Sequence, residues 1–328
     1  NNAISNIFAK IGDYSYSIYL VHFPIIVLYL YEPFSGTKLY PDSYIDKGIL
    51  LFLIIISSIL MHKLVETRRF NNIAVAYLFS LVSIFVLTGA TKVVPKVMYD
   101  EREKNIFNGL EDRAPYRSGK LVRIIDQKAI SCKINAENFD QSVLLVGNSH
   151  ADSIKMAFSE VASKHKLNTY FLVSNTPLMD SSVTPERLID EAIKLKTNHL
   201  VLHFSPKALE LSTIEKVVDL AQKNNMTIDF IFPVPVYTNS VPKIIYQKNI
   251  ENQYDFDNYY IDNLEFFEKM NILKSKYANL RNHEVGKIFC NTECVISDQE
   301  NHPYYFDDNH LSLIVAKLLN PVINKLMY

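Results

Sequence analysis

The sequence predicts an α/β domain with a mostly parallel sheet, preceded by about three transmembrane helices. Three long apolar runs lie within residues 15–94, whereas the rest of the 328-residue chain has an ordinary soluble composition. After residue 141, short apolar runs alternate with amphipathic helical patterns, as in a parallel sheet that is covered on both faces. The formal net charge of -1 gives no indication of a nucleic-acid partner, and none is expected.

The apolar runs each approach the length of about 20 residues that crosses a hydrocarbon core. They span residues 16–31, 48–64 and 73–94. Short polar connectors join them, so we predict three membrane helices, of which the first is the shortest. Lys63, Arg68 and Arg69 lie between the second and third runs, which places that turn in the cytoplasm by the positive-inside rule. Everything after about Pro95 then lies on the opposite side of the membrane.

The soluble part contains an alternation of strands and helices that indicates five βα units. Strands are predicted at residues 143–146, 169–173, 200–204 and 228–232, and helices start at Ser149 and near 185–196 and 213–223. In a parallel sheet of this kind, the ligand crevice lies outside the carboxyl ends of the strands. Residues 241–283 interrupt the alternation with aromatic and amide side chains, which suit an amphipathic helix with aromatic anchors or a sugar-binding face.

Ser149 lies at a predicted turn from a strand to a helix. The apolar run 143–146 leads through Gly147 and Asn148 to this serine, and the helical pattern begins at once. A side chain at such a turn projects from the carboxyl edge of the sheet, and the free N–H groups of the first helical turn point at the ligand. This arrangement suits a nucleophile with an oxyanion site, although a serine in this position also serves as a helix cap.

A second polar group, Asp307-Asp308-Asn309-His310, lies between an aromatic run and the last helical pattern. Considered alone, either aspartate would cap that helix and His310 would be solvated. A serine nucleophile needs a base, and the base needs a carboxylate that fixes its tautomer and stabilises its charged form. Together with Ser149, the segment therefore predicts a Ser-His-Asp triad.

The sequence around these residues resembles the SGNH hydrolase-like superfamily. Gly147-Asn148-Ser149-His150-Ala151 resembles its first block, usually GDSHA in the periplasmic acyltransferase branch, and Asp307-Asp308-Asn309-His310-Leu311-Ser312 resembles its last block. The resemblance covers roughly residues 120–328. It implies a three-layer α/β/α, flavodoxin-like domain with Ser149 as nucleophile, His310 as base and Asp307, in preference to Asp308, as the orienting carboxylate.

The oxyanion hole departs from the family pattern. The two middle blocks of the family supply a Gly and an Asn, but the corresponding places here carry Val173-Ser174-Asn175-Thr176-Pro177 and His203-Phe204-Ser205-Pro206. We expect the backbone N–H of Ser149 to be one donor and treat Asn175 as a candidate for the second. Asn148 replaces the usual Asp, and its short polar side chain is still able to hydrogen-bond the turn.

The membrane part resembles the membrane acyltransferase family 3. Gly12–Pro24 is similar to its GD-S-YS-YL-H-P segment, and Leu64–Phe70 is similar to its VE-P-R turn. Without the resemblance, Asp13 or Ser15 would simply cap a helix ahead of an interfacial aromatic belt. The family has many more membrane helices, so we expect the chain to be a C-terminal fragment or a shortened protein. His22 matches a histidine in a late helix of the family and is a candidate for a structural or substrate-path role.

The cysteines favour an oxidising compartment. Cys290 and Cys294 are separated by three residues and are predicted to form a small disulfide loop. Half a zinc site is the alternative, but it lacks a second ligand pair, and no metal is expected. Cys132 is left over.

The two resemblances imply a domain order and a location. Residues 1–94 correspond to the C-terminal part of a membrane acyltransferase domain, 95–141 to a periplasmic linker or extension, and 142–328 to the SGNH domain. The implied location is the inner membrane of a bacterium, with the C-terminal domain in the periplasm.

The implied activity is O-acyl transfer, expected to be acetyl transfer, through Ser149 to hydroxyls of a cell-surface glycan such as lipopolysaccharide O-antigen. No bound cofactor is expected, since the acyl group would come ultimately from acetyl-CoA through acyltransferase helices that the sequence does not include. The expected partners are the polysaccharide acceptor, membrane lipid and those remaining helices. The alternatives are an SGNH esterase or deacetylase with water as acceptor, and a non-catalytic glycan-binding module.

Overall fold

The chain folds into two compact units, residues 1–95 and 96–328. The structure, a computed structural model, describes residues 8–9, 11–67, 73–117, 130–173, 183–206, 208, 210–247 and 256–327. The boundary between the units coincides with the end of the last apolar run in the sequence.

Apolar helices make up most of the first unit. Its elements are α1 (Ser15–Tyr29), the antiparallel pair β1 (Tyr31–Glu32) and β2 (Gly36–Thr37), α2 (Tyr44–Met61) with a π-helical continuation (His62–Glu66), and the start of α3 (Ile73–Met98). A capping box begins α2, because the Ser43 side chain accepts from the Asp46 N–H and Asp46 reaches back to the Ser43 N–H.

One helix is long and apolar enough to cross a membrane among the residues that the structure describes. It is Tyr44–Glu66, which has 23 residues. Helix α1 is also apolar but has 15 residues, and α3 has 26. The prediction of three membrane helices therefore stays a prediction.

A six-stranded sheet forms the centre of the second unit. Its strands are β3 (Cys132–Lys133), β4 (Gln141–Gly147), β5 (Leu167–Val173), β6 (His199–His203), β7 (Thr227–Ile231) and β8 (Leu280–His283). They are ordered β3-β5-β4-β6-β7-β8, and all neighbouring pairs are parallel except β3 with β5. The predicted α/β fold with a mostly parallel sheet is thereby confirmed.

Helices surround this sheet. They are α4 (Glu101–Gly109), α5 (Ser149–Lys164), α6 (Pro185–Lys194), α7 (Leu211–Lys223), α8 (Val241–Gln247), α9 (Phe256–Lys276), α10 (Gly286–Phe289), α11 (Leu313–Ala316), a 3-10 turn (Lys317–Leu319) and α12 (Asn320–Leu326). The aromatic side chains Tyr259 and Phe267 of α9 are buried in the core, so this part of the aromatic segment anchors a helix.

The core explains the continuous apolar character of β4. Val143, Leu144, Leu145 and Val146 are all fully buried, because helices cover both faces of a parallel sheet. Each such side chain contributes about 1.5–3 kcal/mol of hydrophobic stabilisation. The strand lies between β5 and β6, the point at which the order of the parallel strands changes direction, so the ligand crevice is expected at its carboxyl end.

The polar segment after Pro95 belongs to the second unit instead of standing apart from it. Within α4, Ile106 is fully buried, Arg102 donates to the Ile245 carbonyl, and Asn105 Nδ2 donates to the Glu300 carbonyl at 2.8 Å. Gly109 ends this helix against Pro303, where a Cβ would lie 2.5 Å from the proline ring. The described part of the predicted linker is therefore packed against the domain.

Cys290 and Cys294 form a disulfide with their Cα atoms 3.9 Å apart. Cys132 lies in β3, with its Sγ 3.7 Å from the Phe171 carbonyl oxygen. Within the described ranges, no group of three or more His, Cys, Asp or Glu side chains is arranged to hold a metal ion.

Candidate active site

The turn that carries Ser149 is shaped by a close approach between β4 and β6. A Cβ on Gly147 would lie 1.8 Å from the His203 carbonyl oxygen and 2.5 Å from Ala151 Cβ. Only glycine fits between this backbone and the first turn of α5. The chain therefore passes directly from the carboxyl end of the central strand into the helix, with Ser149 as its first residue.

Asn148 joins this turn to the loop that follows β6. Its Oδ1 accepts from the His150 N–H at 3.0 Å and from the Ser205 N–H at 3.2 Å, while its Nδ2 donates to Ser205 Oγ at 2.6 Å. The amide thus replaces the usual aspartate as the helix cap and adds a donor that a carboxylate lacks. Sequence analysis missed the role of Ser205, whose only signal was its position directly after the β6 run.

His310 is oriented by Asp307. The imidazole Nδ1 lies 2.6 Å from Asp307 Oδ2, and Asp307 Oδ1 accepts from the backbone N–H groups of Asn309 at 3.0 Å and His310 at 2.8 Å. A carboxylate in this position accepts the Nδ1 proton, which leaves the lone pair on Nε2. The Phe306 ring stacks on the imidazole, with centroids 5.4 Å apart and planes 7° from parallel.

The charge of Asp307 follows from the same contacts. Burial raises the pKa of this carboxyl, but the hydrogen bonds from His310 Nδ1 and the Asn309 N–H outweigh burial and hold the pKa below its usual range. Asp307 is therefore ionised at neutral pH and stabilises a positive charge on His310.

The loop itself is fixed by its backbone. The carbonyl oxygens of Asp307 and Asp308 accept from the Val241 and Tyr237 N–H groups, both at 2.9 Å. These donors belong to the segment after β7, so the loop is attached to the carboxyl edge of the sheet. The Asp307 side chain, and not that of Asp308, is the one hydrogen-bonded to His310.

Ser149, Asp307 and His310 line one cavity of about 610 Å³. The cavity volume lies within the range of about 300–1,000 Å³ that small-molecule sites occupy. His310 Nε2, the atom that a general base uses, is buried and has no hydrogen-bond partner among the residues described. Serine-imidazole hydrogen bonds in unliganded sites are often long and tighten only when substrate binds.

Two further histidines, His150 and His203, form a cluster with His310. The ring centroid of His150 is 5.2 Å from that of His310 and 6.1 Å from that of His203. Burial, followed by the neighbouring histidines, holds the pKa of His150 well below its usual range, and burial lowers the pKa of His203 to about 4. Both rings are therefore neutral at neutral pH. Sequence analysis identified His150 only as part of a motif.

Part of the cavity lining comes from the segment before residue 118. Glu111, Arg113, Ala114, Pro115 and Tyr116 form this wall, and the triad residues line the same cavity. Sequence analysis treated this segment as a polar extension, because nothing in its composition indicates which part of the domain it contacts.

The remaining site candidates have different outcomes. Asn175 lies outside the described residues. His22 lies in α1, where its Nδ1 is 3.0 Å from the Ile18 carbonyl oxygen and 2.8 Å from that of Tyr19.

The two N-terminal segments that resemble the membrane acyltransferase family contact each other. Ser17 Oγ donates to Glu66 Oε2 at 2.5 Å, and His62 Nδ1 lies 3.0 Å from the same oxygen. Ser17 is fully buried, so its hydroxyl is satisfied by a charged partner that the second segment supplies.

The sequence matches the family model described as "SGNH domain (fused to AT3 domains)" over residues 115–325. Among solved structures, the periplasmic domain of the lipopolysaccharide acetyltransferase of Salmonella ser. Paratyphi A is similar. It is 18% identical, with 71% of this chain and 99% of that chain covered and a TM-score of 0.48. A search of curated protein sequences found no match.

Proposed function

Because the chain belongs to the family of SGNH domains that are fused to AT3 domains, we propose that its second unit is an O-acyltransferase. The acyl group, expected to be acetyl, is carried on Ser149 and passed to a hydroxyl of a cell-surface glycan such as lipopolysaccharide O-antigen. The observation that carries this proposal is the hydrogen-bonded pair of Asp307 and His310, which lines the same cavity as Ser149.

In the first half-reaction, Ser149 Oγ attacks the carbonyl carbon of the acyl donor. His310 Nε2 takes the hydroxyl proton, and the ionised Asp307 stabilises the imidazolium that results. The Ser149 N–H, at the first position of α5, has no partner within the helix and is the backbone donor to the oxyanion, because the next N–H, that of His150, already donates to Asn148 Oδ1. The leaving group then departs with the proton from His310, and an ester remains on Ser149.

In the second half-reaction, a sugar hydroxyl replaces the leaving group. His310 Nε2 removes its proton as the oxygen attacks the acyl carbon, and the bond from the acyl carbon to Ser149 Oγ breaks. Ser149 Oγ recovers a proton from His310, and the ester is now on the sugar. The same steps with water as acceptor constitute ester hydrolysis.

The remaining assignments extend this proposal to the whole chain. We propose that Asn175 supplies the second oxyanion donor and that acetyl-CoA is the ultimate donor. Residues 1–94 are proposed to belong to an acyltransferase membrane domain in which His22 has a structural or substrate-path role. A periplasmic location at the bacterial inner membrane is supported by the candidate span Tyr44–Glu66 and by the Cys290–Cys294 disulfide, which suits an oxidising compartment.

The test uses the full chain in detergent, with 4-nitrophenyl acetate as donor and O-antigen polysaccharide, freed of its acetyl esters by alkali, as acceptor. Released nitrophenol reports the first half-reaction, and acetyl esters on the polysaccharide, measured by mass spectrometry, report the second. We expect both products from the wild type and neither from Ser149→Ala. Release of nitrophenol without acetylation of the polysaccharide would identify an esterase. Absence of both products would favour a glycan-binding module.

A further inference from the structure

One aromatic side chain at the cavity is exposed to solvent. The Tyr116 side chain is 71% exposed, whereas the other tyrosine and phenylalanine side chains described in residues 96–247 and 257–327 are at least partly buried. Tyr116 lines the cavity that contains Ser149 and His310. The Arg117 guanidinium lies 5.1 Å from the centroid of its ring. An aromatic surface next to a nucleophile is a typical element of a ligand site.

The backbone around Tyr116 is fixed to α5, the helix that begins with Ser149. Lys155 of α5 donates to the Pro115 carbonyl, and the Arg117 N–H donates to Asp152 Oδ2 at 3.2 Å. The same lysine pairs with Asp152 Oδ1 at 2.6 Å and is almost completely buried. Such a buried pair is costly unless its remaining hydrogen bonds are satisfied, and the 115–117 backbone satisfies them.

A second attachment lies just before Tyr116. The Asp112 carbonyl accepts from the Leu313 N–H at 2.9 Å, and Asp112 Oδ2 accepts from the Ile314 N–H at 3.2 Å. Both donors belong to α11, which follows His310 directly in the chain. The wall segment is therefore held by the helix of Ser149 on one side and by the helix after His310 on the other.

The wall also carries two charged side chains that are able to form hydrogen bonds with hydroxyl groups. Glu111 and Arg113 line the same cavity, and their charged atoms are 3.8 Å apart with both side chains exposed. A carboxylate accepts from hydroxyl groups and a guanidinium donates to them. An aromatic ring beside such groups matches a sugar ring, which has apolar C–H faces and a rim of hydroxyls.

We propose that the wall of residues 111–116 is the acceptor subsite, in which the Tyr116 ring packs on a pyranose ring and presents one of its hydroxyls to the acyl group on Ser149. This inference rests on the proposed transferase function and specifies how its acceptor is held. The proton of the attacking hydroxyl passes to His310 Nε2, and no further reactant is required.

The experiment compares two reactions of the same full-length preparations, with the donor and polysaccharide used above. We expect Tyr116→Ala to raise the KM for polysaccharide about tenfold, which corresponds to about 1.4 kcal/mol of lost binding. The deciding readout is the comparison of the two reactions: the loss in transfer to polysaccharide is expected to exceed any loss of 4-nitrophenyl acetate hydrolysis, measured without polysaccharide, by about tenfold, because a water acceptor does not need the stacking surface. Tyr116→Phe retains the ring and is expected to retain the wild-type KM.

The control variant is Ile261→Ala, which removes a similarly exposed side chain from α9, away from the cavity. It is expected to change neither reaction. An unchanged KM in Tyr116→Ala, or an equal loss of hydrolysis and transfer, would overturn the subsite while leaving the transferase intact. A wild-type chain that hydrolyses the ester but acetylates no polysaccharide would instead overturn the proposed function on which the subsite rests.

Discussion

The Asp307 side chain accepts three hydrogen bonds, and this distinguishes it from the adjacent Asp308. Two of them come from backbone N–H groups within its own loop and the third comes from His310 Nδ1. The carboxylate is therefore placed by the local backbone before it contacts the imidazole. Asp308 contributes its carbonyl to the same loop, where it accepts from the Tyr237 N–H.

The substitution Asp307→Asn is expected to lower the turnover of 4-nitrophenyl acetate by up to about 10⁴-fold. The amide favours the wrong imidazole tautomer and no longer stabilises the imidazolium. The matched control is Asp308→Asn, which is expected to leave turnover nearly unchanged and to cost at most about 1 kcal/mol of stability. Turnover and melting temperature of both variants decide the assignment, and the reverse pattern would transfer the role to Asp308.

Sequence alone identified Ser149, His310 and an aspartate at this site because each lies at a strand end or beside a helix start. The choice between adjacent aspartates came from the family resemblance, since spacing does not determine which carboxylate turns toward the ring. Ser205, His150 and Tyr116 were missed for a common reason. Their surroundings are set by contacts between residues far apart in the chain, such as Lys155 with Pro115.

Strand β7 is linked to both of its neighbours by one buried carboxylate. Asp229 is fully buried, and it lies 2.6 Å from His199 Nε2 of β6 and 2.5 Å from His283 Nε2 of β8. Arg281 of β8 donates to the same carboxylate. Burial raises the pKa of Asp229, but the hydrogen bonds from His199, His283 and Arg281 outweigh it and hold the pKa below its usual range.

We expect Asp229→Asn to lower the free energy of unfolding by about 3 kcal/mol at pH 7, because the amide removes the negative charge beside Arg281 and replaces one of the two acceptor oxygens with an NH2 group that cannot accept. The folded-state pKa is depressed, so this stabilisation is fully present above the unfolded value of about 3.9, weakens as pH falls below that value, and is lost completely only as pH falls through the lower folded-state pKa. Urea unfolding from pH 7 to pH 3 checks both points. A difference between wild type and variant that stays constant over this range would contradict the account.

The strands β4–β7 were predicted to within two residues, because each is a short apolar run that ends at polar residues. The last helix was predicted less well. The single helical pattern predicted after His310 is replaced by α11, a 3-10 turn and α12, which begins at Asn320 with Pro321 in its first turn. Proline lacks the N–H that a continuous helix needs, so it marks a new helix start.

At the scale of the whole molecule, each unit has its own kind of surface. The first unit exposes large apolar side chains along α1 and α2, whereas the second encloses an apolar core beneath a largely polar surface. This difference was visible in the distribution of apolar runs, and the boundary at Pro95 follows from it. The sequence does not show that segment 96–117 packs on the second unit instead of serving as a linker. Its attachment depends on residues far away in the chain, such as Ile245 and Glu300.

The proposed topology predicts that the turn after α2 and the second unit lie on opposite sides of the inner membrane. In a Cys132→Ser background, Thr67→Cys is expected to react with an impermeant maleimide only after the inner membrane is disrupted. Glu137→Cys, in an exposed position of the second unit, is expected to react once the outer membrane is opened. Reaction of both positions under the same condition would contradict the topology.

The central claim is that Ser149 is a nucleophile activated by His310. Incubating the full chain with a serine-reactive fluorophosphonate and mapping the adduct by peptide mass spectrometry tests it without knowledge of the acceptor. The account predicts an adduct on the Ser149 peptide of the wild type, none in Ser149→Ala, and labelling slowed on the order of 10³-fold in His310→Ala. An unlabelled Ser149, or labelling that proceeds equally fast without the His310 imidazole, would contradict it.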